Sequence, residues 1–233
     1  MRYLFLLNPT AGKRDCTAEL APAIQAAAQR AGIPPEKRKV VVTQYAGHAR
    51  ELAAEAAHTA QADGEPVRIW TAGGDGTFNE ALTGAQGCSL AAVGCLPFGS
   101  GNDFLRTYGM REEFNDLDAQ LAGGEVDIDL MQTDLGLSAT ICAAGLDAQV
   151  AYGIPQFRRI PFCGGEMAYA LSIVKQLCGH IGRNVTFTIA GEELTVDCLM
   201  CAVCNGAPME AAFMQPPRLS PTTAGWTFSS SAG

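Results

Sequence analysis

The stretch of sequence best suited to hold an anion is RIWTAGGDGTFNEALTGA, from Arg68 to Ala85. Three glycines, Gly73, Gly74 and Gly76, surround one carboxylate, Asp75. Because glycine has no Cβ, backbone N–H groups can approach a ligand closely, and the N-terminus of a following helix adds a field that favours negative charge. The pattern indicates a phosphate site in which Asp75 meets Mg²⁺ directly or through water, or holds a loop amide.

Two further loops combine small residues with hydrogen-bonding side chains. NPTAGK (8–13) follows the first predicted strand, and PFGSGNDF (97–104) follows the fourth. Because ligands of open α/β sheets bind at the carboxyl ends of the strands, we expect the three loops to share one site. A plainer interpretation is also open, since glycine suits any tight turn and Asn102-Asp103 can cap the following helix. The loops match neither the G-x-G-x-x-G fingerprint nor the G-x-x-x-x-G-K-[ST] loop.

Alternating strand and helix patterns must position these loops. Apolar or β-branched runs such as RYLFLLN, KRKVVVTQ, PVRIWTAGG and LAAVGCLPFG alternate with helical, mostly alanine-rich segments over residues 1–125. This predicts an α/β domain with a parallel sheet and helices on both faces. Beyond Gly123-Gly124 strands follow strands through short turns, which predicts a mostly antiparallel β domain over residues 126–206.

Composition limits the classes of binding partner and the cellular compartment that are expected for this protein. The 233 residues carry a net charge of -8, which argues against nucleic acid as the main partner. No apolar run of about 18 residues occurs, so no stable transmembrane insertion is expected. The first residues do not match a signal peptide, and we expect a cytoplasmic protein whose nine cysteines are reduced. Cys198, Cys201 and Cys204 lie in a run predicted to be a strand, where side chains three residues apart point to opposite faces. The three thiols would not converge on one cluster, so the pattern favours a core strand over an iron–sulfur site.

Taken together, the motifs resemble the diacylglycerol kinase catalytic-domain family, which includes bacterial lipid kinases and is related to sphingosine and ceramide kinases and, more distantly, to NAD kinases. The matching pieces, in family order, are NPTAGK, TQYAGHARELA, GGDGTFNE, LPFGSGND, VDIDL, AAGLDAQV and CNG, and they span nearly all of residues 1–206. GGDGT alone is shared with NAD kinases and phosphofructokinase-like folds. GGDGTFNE together with PFGSGNDF is much more specific.

The resemblance implies an ATP- and Mg²⁺-dependent kinase that transfers the γ-phosphoryl group to the hydroxyl of diacylglycerol or a similar lipid alcohol at the membrane surface. The acceptor would lie in the β-rich domain, 126–206, which the resemblance implies is incomplete. The residues implied in ATP binding are Asn8, Pro9, Thr10, Ala11, Gly12, Thr43, Gly73, Gly74, Asp75, Gly76, Thr77, Phe78, Asn79 and Ser100. Asn102 and Asp103 match the residues that organise the cleft, and Asp75 is the implied metal contact.

The resemblance stops after Asn205-Gly206. The family continues with an aromatic residue, three glycines and an Asp-Gly segment that supplies its general base, whereas residues 207–233 read APMEAAFMQPPRLSPTTAGWTFSSSAG. Reading the codons from their third base permits a string with the missing motifs in order. We therefore expect that one base is missing near the codon for Ala207, that 207–233 is a frame-shifted, poorly ordered tail, and that no catalytic base can be assigned in this chain.

Two alternative functions stay open from the sequence. One is an NAD kinase-like enzyme that uses the same GGDGT site, which the PFGSGNDF loop disfavours. The other is a catalytically inert nucleotide-binding fragment. The identity of the lipid acceptor and the oligomeric state have no marker in the sequence.

Overall fold

In the computed structural model, the chain forms two compact units. The first comprises Met1–Thr140 and the segment that begins at Asn205, and the second comprises Ile141–Cys204. The residues described are 1–12, 14–99, 102–108, 111–146, 148–150, 153, 165–177, 183–189 and 191–205. The predicted boundary near residue 125 lies inside the first unit and stays a prediction, and the predicted tail, 207–233, lies outside the described residues.

A four-stranded parallel sheet forms the centre of the first unit. Its strands are β1 (Arg2–Leu7), β2 (Arg38–Val42), β3 (Val67–Gly73) and β4 (Ala91–Pro97), in the spatial order β2-β1-β3-β4. Leu7 lies opposite Val42 and Ala72, and Gly73 lies opposite Pro97. The carboxyl ends of all four strands therefore reach one edge, and the predicted parallel sheet is confirmed.

Helices cover both faces of this sheet. They are α1 (Thr17–Arg30), α2 (His48–Asp63), α3 (Asp75–Ala85), α4 (Asp103–Tyr108), α5 (Arg111–Asn115) and α6 (Leu117–Ala122), with a 3₁₀ turn at Pro35–Lys37. Side chains alternate along a strand, so Leu4 and Leu6 pack with α2 and α3, while Phe5 and Leu7 pack with α1 and α6. The prediction of helices on both faces is confirmed.

Small residues let α2 and α3 pack closely on one face. Ala49, Ala53 and Ala57 follow each other at one-turn spacing on α2 and are buried. Gly84 lies in α3 at a point where a Cβ would overlap the carbonyl oxygen of Arg50. The C-terminal half of α3 is therefore packed directly against α2.

The rest of the described chain is antiparallel, as predicted. In the first unit β5 (Met131–Thr133) pairs with β6 (Gly136–Ser138). The second unit contains β7 (Ile141–Gly145), α7 (Gly165–Leu177), β8 (Arg183–Ile189), β9 (Glu192–Cys198) and β10 (Met200–Cys204), with β7 paired to β10 and β8 to β9. None of the helices described here combines the length and the apolar character needed to cross a bilayer.

The three closely spaced cysteines lie on two strands. Cys198 ends β9, and Cys201 and Cys204 lie on β10, which pairs with β7 in a two-stranded sheet. Cys204 is exposed and the other two are half-buried, so the prediction of a core strand is wrong in its burial. A two-stranded sheet has too little apolar cover to bury such a strand fully.

Candidate functional site

The glycine loop lies where β3 ends and α3 begins. β3 ends at Gly73, Gly74 adopts an extended conformation, and α3 starts at Asp75. The carbonyl oxygen of Gly73 accepts hydrogen bonds from the backbone N–H groups of Phe98 (3.0 Å) and Gly99 (2.8 Å). The loop after β3 is therefore tied directly to the loop after β4.

The loop after β1 is held against the first turn of α3. The side-chain Nδ2 of Asn8 donates a 2.9 Å hydrogen bond to Oγ1 of Thr77, and Oδ1 of Asn8 accepts from the backbone N–H (3.0 Å) and the hydroxyl (2.8 Å) of Thr10. The backbone N–H of Ala11 donates to the carbonyl oxygen of Asn8 at 3.2 Å. Asn8 thus shapes its own turn, which includes Pro9, and fastens that turn to the glycine loop.

Missing side chains let the three loops touch through their backbones. A Cβ at Gly12, whose φ is +76°, would overlap the carbonyl oxygen of Phe98. A Cβ at Gly99 would overlap Cα of Gly74, and one at Gly73 would lie 2.6 Å from Oγ1 of Thr77. These glycines are required because neighbouring protein atoms occupy the space that a side chain would need.

Asp75 and Asn102 join the third loop to the glycine loop. Oδ1 of Asp75 accepts a 3.3 Å hydrogen bond from the backbone N–H of Phe104 in the first turn of α4, which starts at Asp103. Asn102 precedes that helix with a left-handed φ of +54°, is only 2% exposed, and donates from Nδ2 to the carbonyl oxygen of Gly99 at 2.6 Å. Of the roles open to Asp75, holding a loop amide is the one observed.

Two features of the site fit a bound group. Gly76 is different from the other loop glycines, because a Cβ there would meet nothing within 4 Å in the described protein. Glycine costs about 1 kcal/mol relative to alanine within a helix, so its presence suits a ligand that approaches the backbone at this point. In addition, Oδ1 of Asn102 is buried and has no hydrogen-bond partner among the described residues, which is costly for a polar atom.

The donor set also fits a divalent cation that arrives with phosphate. Within the described part of the chain, no group of three His, Cys, Asp or Glu side chains is placed to hold a metal by itself. Mg²⁺ is commonly held by one or two carboxylates together with substrate phosphates and water. Asp75 supplies one such carboxylate at the N-terminus of α3. Its role as a metal contact stays a proposal.

Several predicted site residues have partners of their own. Thr43 is buried at the end of β2, where its N–H (2.8 Å) and hydroxyl (3.3 Å) both donate to the carbonyl oxygen of Leu7. Oδ1 of Asn79 accepts from the N–H of Ala139 at 3.1 Å. Phe78 is buried and its ring packs on that of Phe104, with centroids 4.5 Å apart. Ser100 lies outside the described residues.

Arg111 supports the site and has no signal in the sequence. Its Nη2 donates to the carbonyl oxygens of Pro97 and Gly99, so the guanidinium group holds the loop after β4 from the start of α5. Isolated arginines of this kind carry no spacing pattern that would mark them in a sequence. Only the folded position of α5 identifies the residue.

Cys95 lies beneath the loops and is predicted to be inert toward alkylating reagents. Burial, together with the smaller effect of the charge of Asp75, raises the pKa of its thiol to about 12, and the charge of Arg111 partly opposes this shift. Because the thiolate is the reactive form, iodoacetamide at pH 8 should label exposed Cys142 and Cys204 and leave Cys95 unlabelled, as read by peptide mass spectrometry. Denaturation in urea should expose Cys95 to labelling. Labelling of native Cys95 as fast as Cys204 would contradict the burial.

The fold and the site define a class before any relative is considered. The class is an α/β protein with three loops converging at the carboxyl edge of a parallel sheet, in which the site glycines follow GGDGT and not a dinucleotide fingerprint. Comparison with known proteins then gives the family. The family model described as "Diacylglycerol kinase catalytic domain" matches residues 2–133. This chain belongs to the diacylglycerol kinase catalytic-domain family.

Similar proteins carry consistent names. The chain is 29% identical over 181 residues to the diacylglycerol kinase of Bacillus subtilis (strain 168), covering 76% of this chain and 55% of that protein. It is 30% identical over 170 residues to the diacylglycerol kinase of Staphylococcus aureus (strain MRSA252), covering 72% and 50%. The chain spans about half the length of these curated relatives.

A solved structure supports the fold. The crystal structure of a diacylglycerol kinase from Bacillus anthracis str. Sterne matches with a TM-score of 0.59 at 20% sequence identity, over 89% of this chain and 65% of that chain. At this level of identity the match shows a shared fold. The resemblance to the family and the predicted fold class are both confirmed.

Proposed function

We propose that this chain is the nucleotide-binding part of an ATP-dependent lipid kinase, which transfers the γ-phosphoryl group of ATP to the hydroxyl of diacylglycerol or a similar lipid alcohol. The observation that carries the proposal is the meeting of three loops at one sheet edge, where Gly12, Gly73 and Gly99 make room for protein atoms and a Cβ at Gly76 would face open space. Membership of the kinase family supports ATP as the nucleotide.

The residues of the site have separate tasks in this proposal. The backbone N–H groups at the N-terminus of α3 bind the terminal phosphates, with the helix dipole adding to the attraction. Asn8 and Arg111 keep the two flanking loops in place, and Asp75 orders the start of α4 through the N–H of Phe104. Mg²⁺ would supply charge neutralisation on the transferred phosphoryl group, and Asp75 is the carboxylate proposed to help hold it.

A general base is still needed within hydrogen-bond reach of the attacking hydroxyl. By resemblance, the family's base belongs to an Asp-Gly segment downstream of the Asn-Gly pair at 205–206, and we assign no residue of this chain to that role. We propose that the β-rich unit, 141–204, contributes to binding the lipid acceptor. Because the acceptor is a lipid, the reaction would take place at a membrane surface. We also propose that the reading frame changes near codon 207.

The test measures binding and turnover separately. Isothermal calorimetry of the 233-residue chain with ATP and Mg²⁺ should give saturable binding with about one site per chain. Labelled ATP is then supplied with diacylglycerol, sphingosine or NAD. The assay uses both this chain and a second version, expressed from a gene with one base inserted at codon 207. Lipid phosphorylation by the second version supports the proposal, NAD phosphorylation would favour the NAD kinase-like alternative, and binding without turnover in both would favour an inert nucleotide-binding fragment.

A further inference from the structure

Two side chains of α3 accept hydrogen bonds from the backbone of β6 and of the residue that follows it. Oδ1 of Asn79 accepts a hydrogen bond from the N–H of Ala139 (3.1 Å), and Oγ1 of Thr83 accepts from the N–H of Leu137 (2.8 Å). The hydroxyl of Thr83 donates in turn to the backbone carbonyl oxygen of Asn79 at 2.7 Å, which holds the Thr83 acceptor in place. Asn79 and Thr83 are one helical turn apart and meet alternate amides of the strand segment. The side chains of α3 thus accept hydrogen bonds from backbone N–H groups that could otherwise pair with a neighbouring strand.

Asn205 forms hydrogen bonds with the same segment. The chain leaves the first unit after Thr140 and returns at Asn205. The N–H of Asn205 donates to the carbonyl oxygen of Thr140 at 2.6 Å, and its side-chain Nδ2 donates to the carbonyl oxygens of Ala139 (3.2 Å) and Asp129. The points where the chain leaves and re-enters the first unit are therefore fastened to each other.

The peptide groups of Ala139 connect the two asparagines. The N–H of Ala139 is bound by Asn79, its carbonyl oxygen is bound by Asn205, and the residue is only 2% exposed. The two asparagines use opposite ends of their amide groups, because Asn79 accepts through oxygen while Asn205 donates through nitrogen. This difference gives each residue a distinct chemical requirement.

We infer that Asn79 and Asn205 form a clamp around Ala139 that ties both chain crossings to α3, the helix whose N-terminus belongs to the glycine loop. The inference rests on the proposed function and deepens it. A nucleotide bound at the N-terminus of α3 restricts that helix, and the clamp passes the restriction to the points where the second unit is attached. Asn79 and Asn205 are then positioning residues that link the nucleotide site to the two points where the chain leaves and re-enters the first unit.

The first arm of the test uses the same substitutions at both positions and no nucleotide. Backbone amide exchange is measured on the full chain for Asn79→Asp, Asn79→Ala, Asn205→Asp and Asn205→Ala. Asn79→Asp keeps an acceptor oxygen and should leave exchange at Ala139 within about twofold, whereas Asn79→Ala should raise it about tenfold. Asn205→Asp brings a carboxylate against two carbonyl oxygens and should raise exchange at Ala139 and at its own backbone N–H more than Asn205→Ala does.

Equal effects of aspartate at the two positions would overturn the clamp, as would unchanged exchange at Ala139 in Asn79→Ala. If Asn205→Asp does not fold, Asn205→Ala carries the test, with about tenfold faster exchange at Ala139 as the required result. Thr83→Ser keeps the hydroxyl acceptor and serves as the matched control on the same helix, with unchanged exchange at Leu137.

The second arm adds a non-hydrolysable ATP analogue with Mg²⁺. In the unsubstituted chain the analogue should slow exchange in α3 and also at Ala139 and Asn205, by about threefold or more. In Asn205→Ala the slowing should remain in α3 and disappear at the backbone N–H of residue 205. Slowing at residue 205 that persists in Asn205→Ala would overturn the coupling. Absence of slowing at Asn205 in the unsubstituted chain, although α3 is protected, would overturn it as well. Failure of the analogue to protect α3 would instead overturn the proposed function, while the first arm still decides the clamp.

Discussion

Replacement of Gly99 by alanine is expected to weaken nucleotide binding and to destabilise the first unit. The new Cβ would overlap Cα of Gly74 and lie 2.9 Å from the backbone nitrogen of Gly74 and 3.1 Å from Oδ1 of Asn102. Backbone atoms cannot rotate out of the way as a flexible side chain can, so the loops after β3 and β4 must separate. Overpacking of this kind costs about 1–3 kcal/mol, and we expect the affinity for ATP to fall by about tenfold or more.

Thermal unfolding and calorimetry with ATP and Mg²⁺ check this expectation. Gly124→Ala is the matched control, because a Cβ at Gly124 would meet nothing within 4 Å and that residue lies outside the three loops. The control should leave both the melting temperature and the affinity unchanged. An unaltered affinity in Gly99→Ala would mean that the contact between the two loops does not shape the nucleotide site.

Replacement of Gly76 by alanine is expected to separate binding from stability. A Cβ at Gly76 would meet no described protein atom within 4 Å, and alanine is favoured over glycine in a helix by up to about 1 kcal/mol. The melting temperature should therefore stay the same or rise. The added methyl group would stand where phosphate approaches the backbone N–H groups of α3, so the dissociation constant for ATP should increase by about tenfold or more.

Gly84→Ala in the same helix is the control with the opposite expectation. There the Cβ would overlap the carbonyl oxygen of Arg50 on α2, so stability should fall. The affinity of the folded fraction for ATP should not change, because Gly84 packs against α2 and not against the loops. If Gly76→Ala binds ATP normally, the open space at Gly76 is not the phosphate position.

Much of the fold follows from local patterns. The β-branched and apolar runs of β1 to β4 predicted strands, the alanine-rich segments predicted helices, and alternation of the two favours a parallel sheet. The meeting of the three loops could also be anticipated, since parallel strands bring their carboxyl ends to one edge. Asn8, Thr77 and Gly12 lie together for this reason.

The partners of particular atoms could not be predicted. The sequence suggested that the loop glycines serve a ligand, yet Gly12, Gly73 and Gly99 make room for protein atoms. Likewise Arg111 and Asn205 bind carbonyl oxygens of residues distant in the chain. Such contacts depend on tertiary packing, and a single sequence contains no periodicity that encodes them. The pairing of β7 with β10 joins residues far apart in the chain, and it could not be predicted for the same reason.

The contact of Gly12 with Phe98 has a consequence for how the chain acquires its binding surface. The two residues come from the beginning and the end of the four-strand segment, and contacts between distant residues form late because closing long loops is entropically costly. The ligand surface therefore exists only in molecules that have assembled β1, β3 and β4 side by side. A nucleotide would then select fully folded molecules from the newly made population and protect them from proteolysis by mass action.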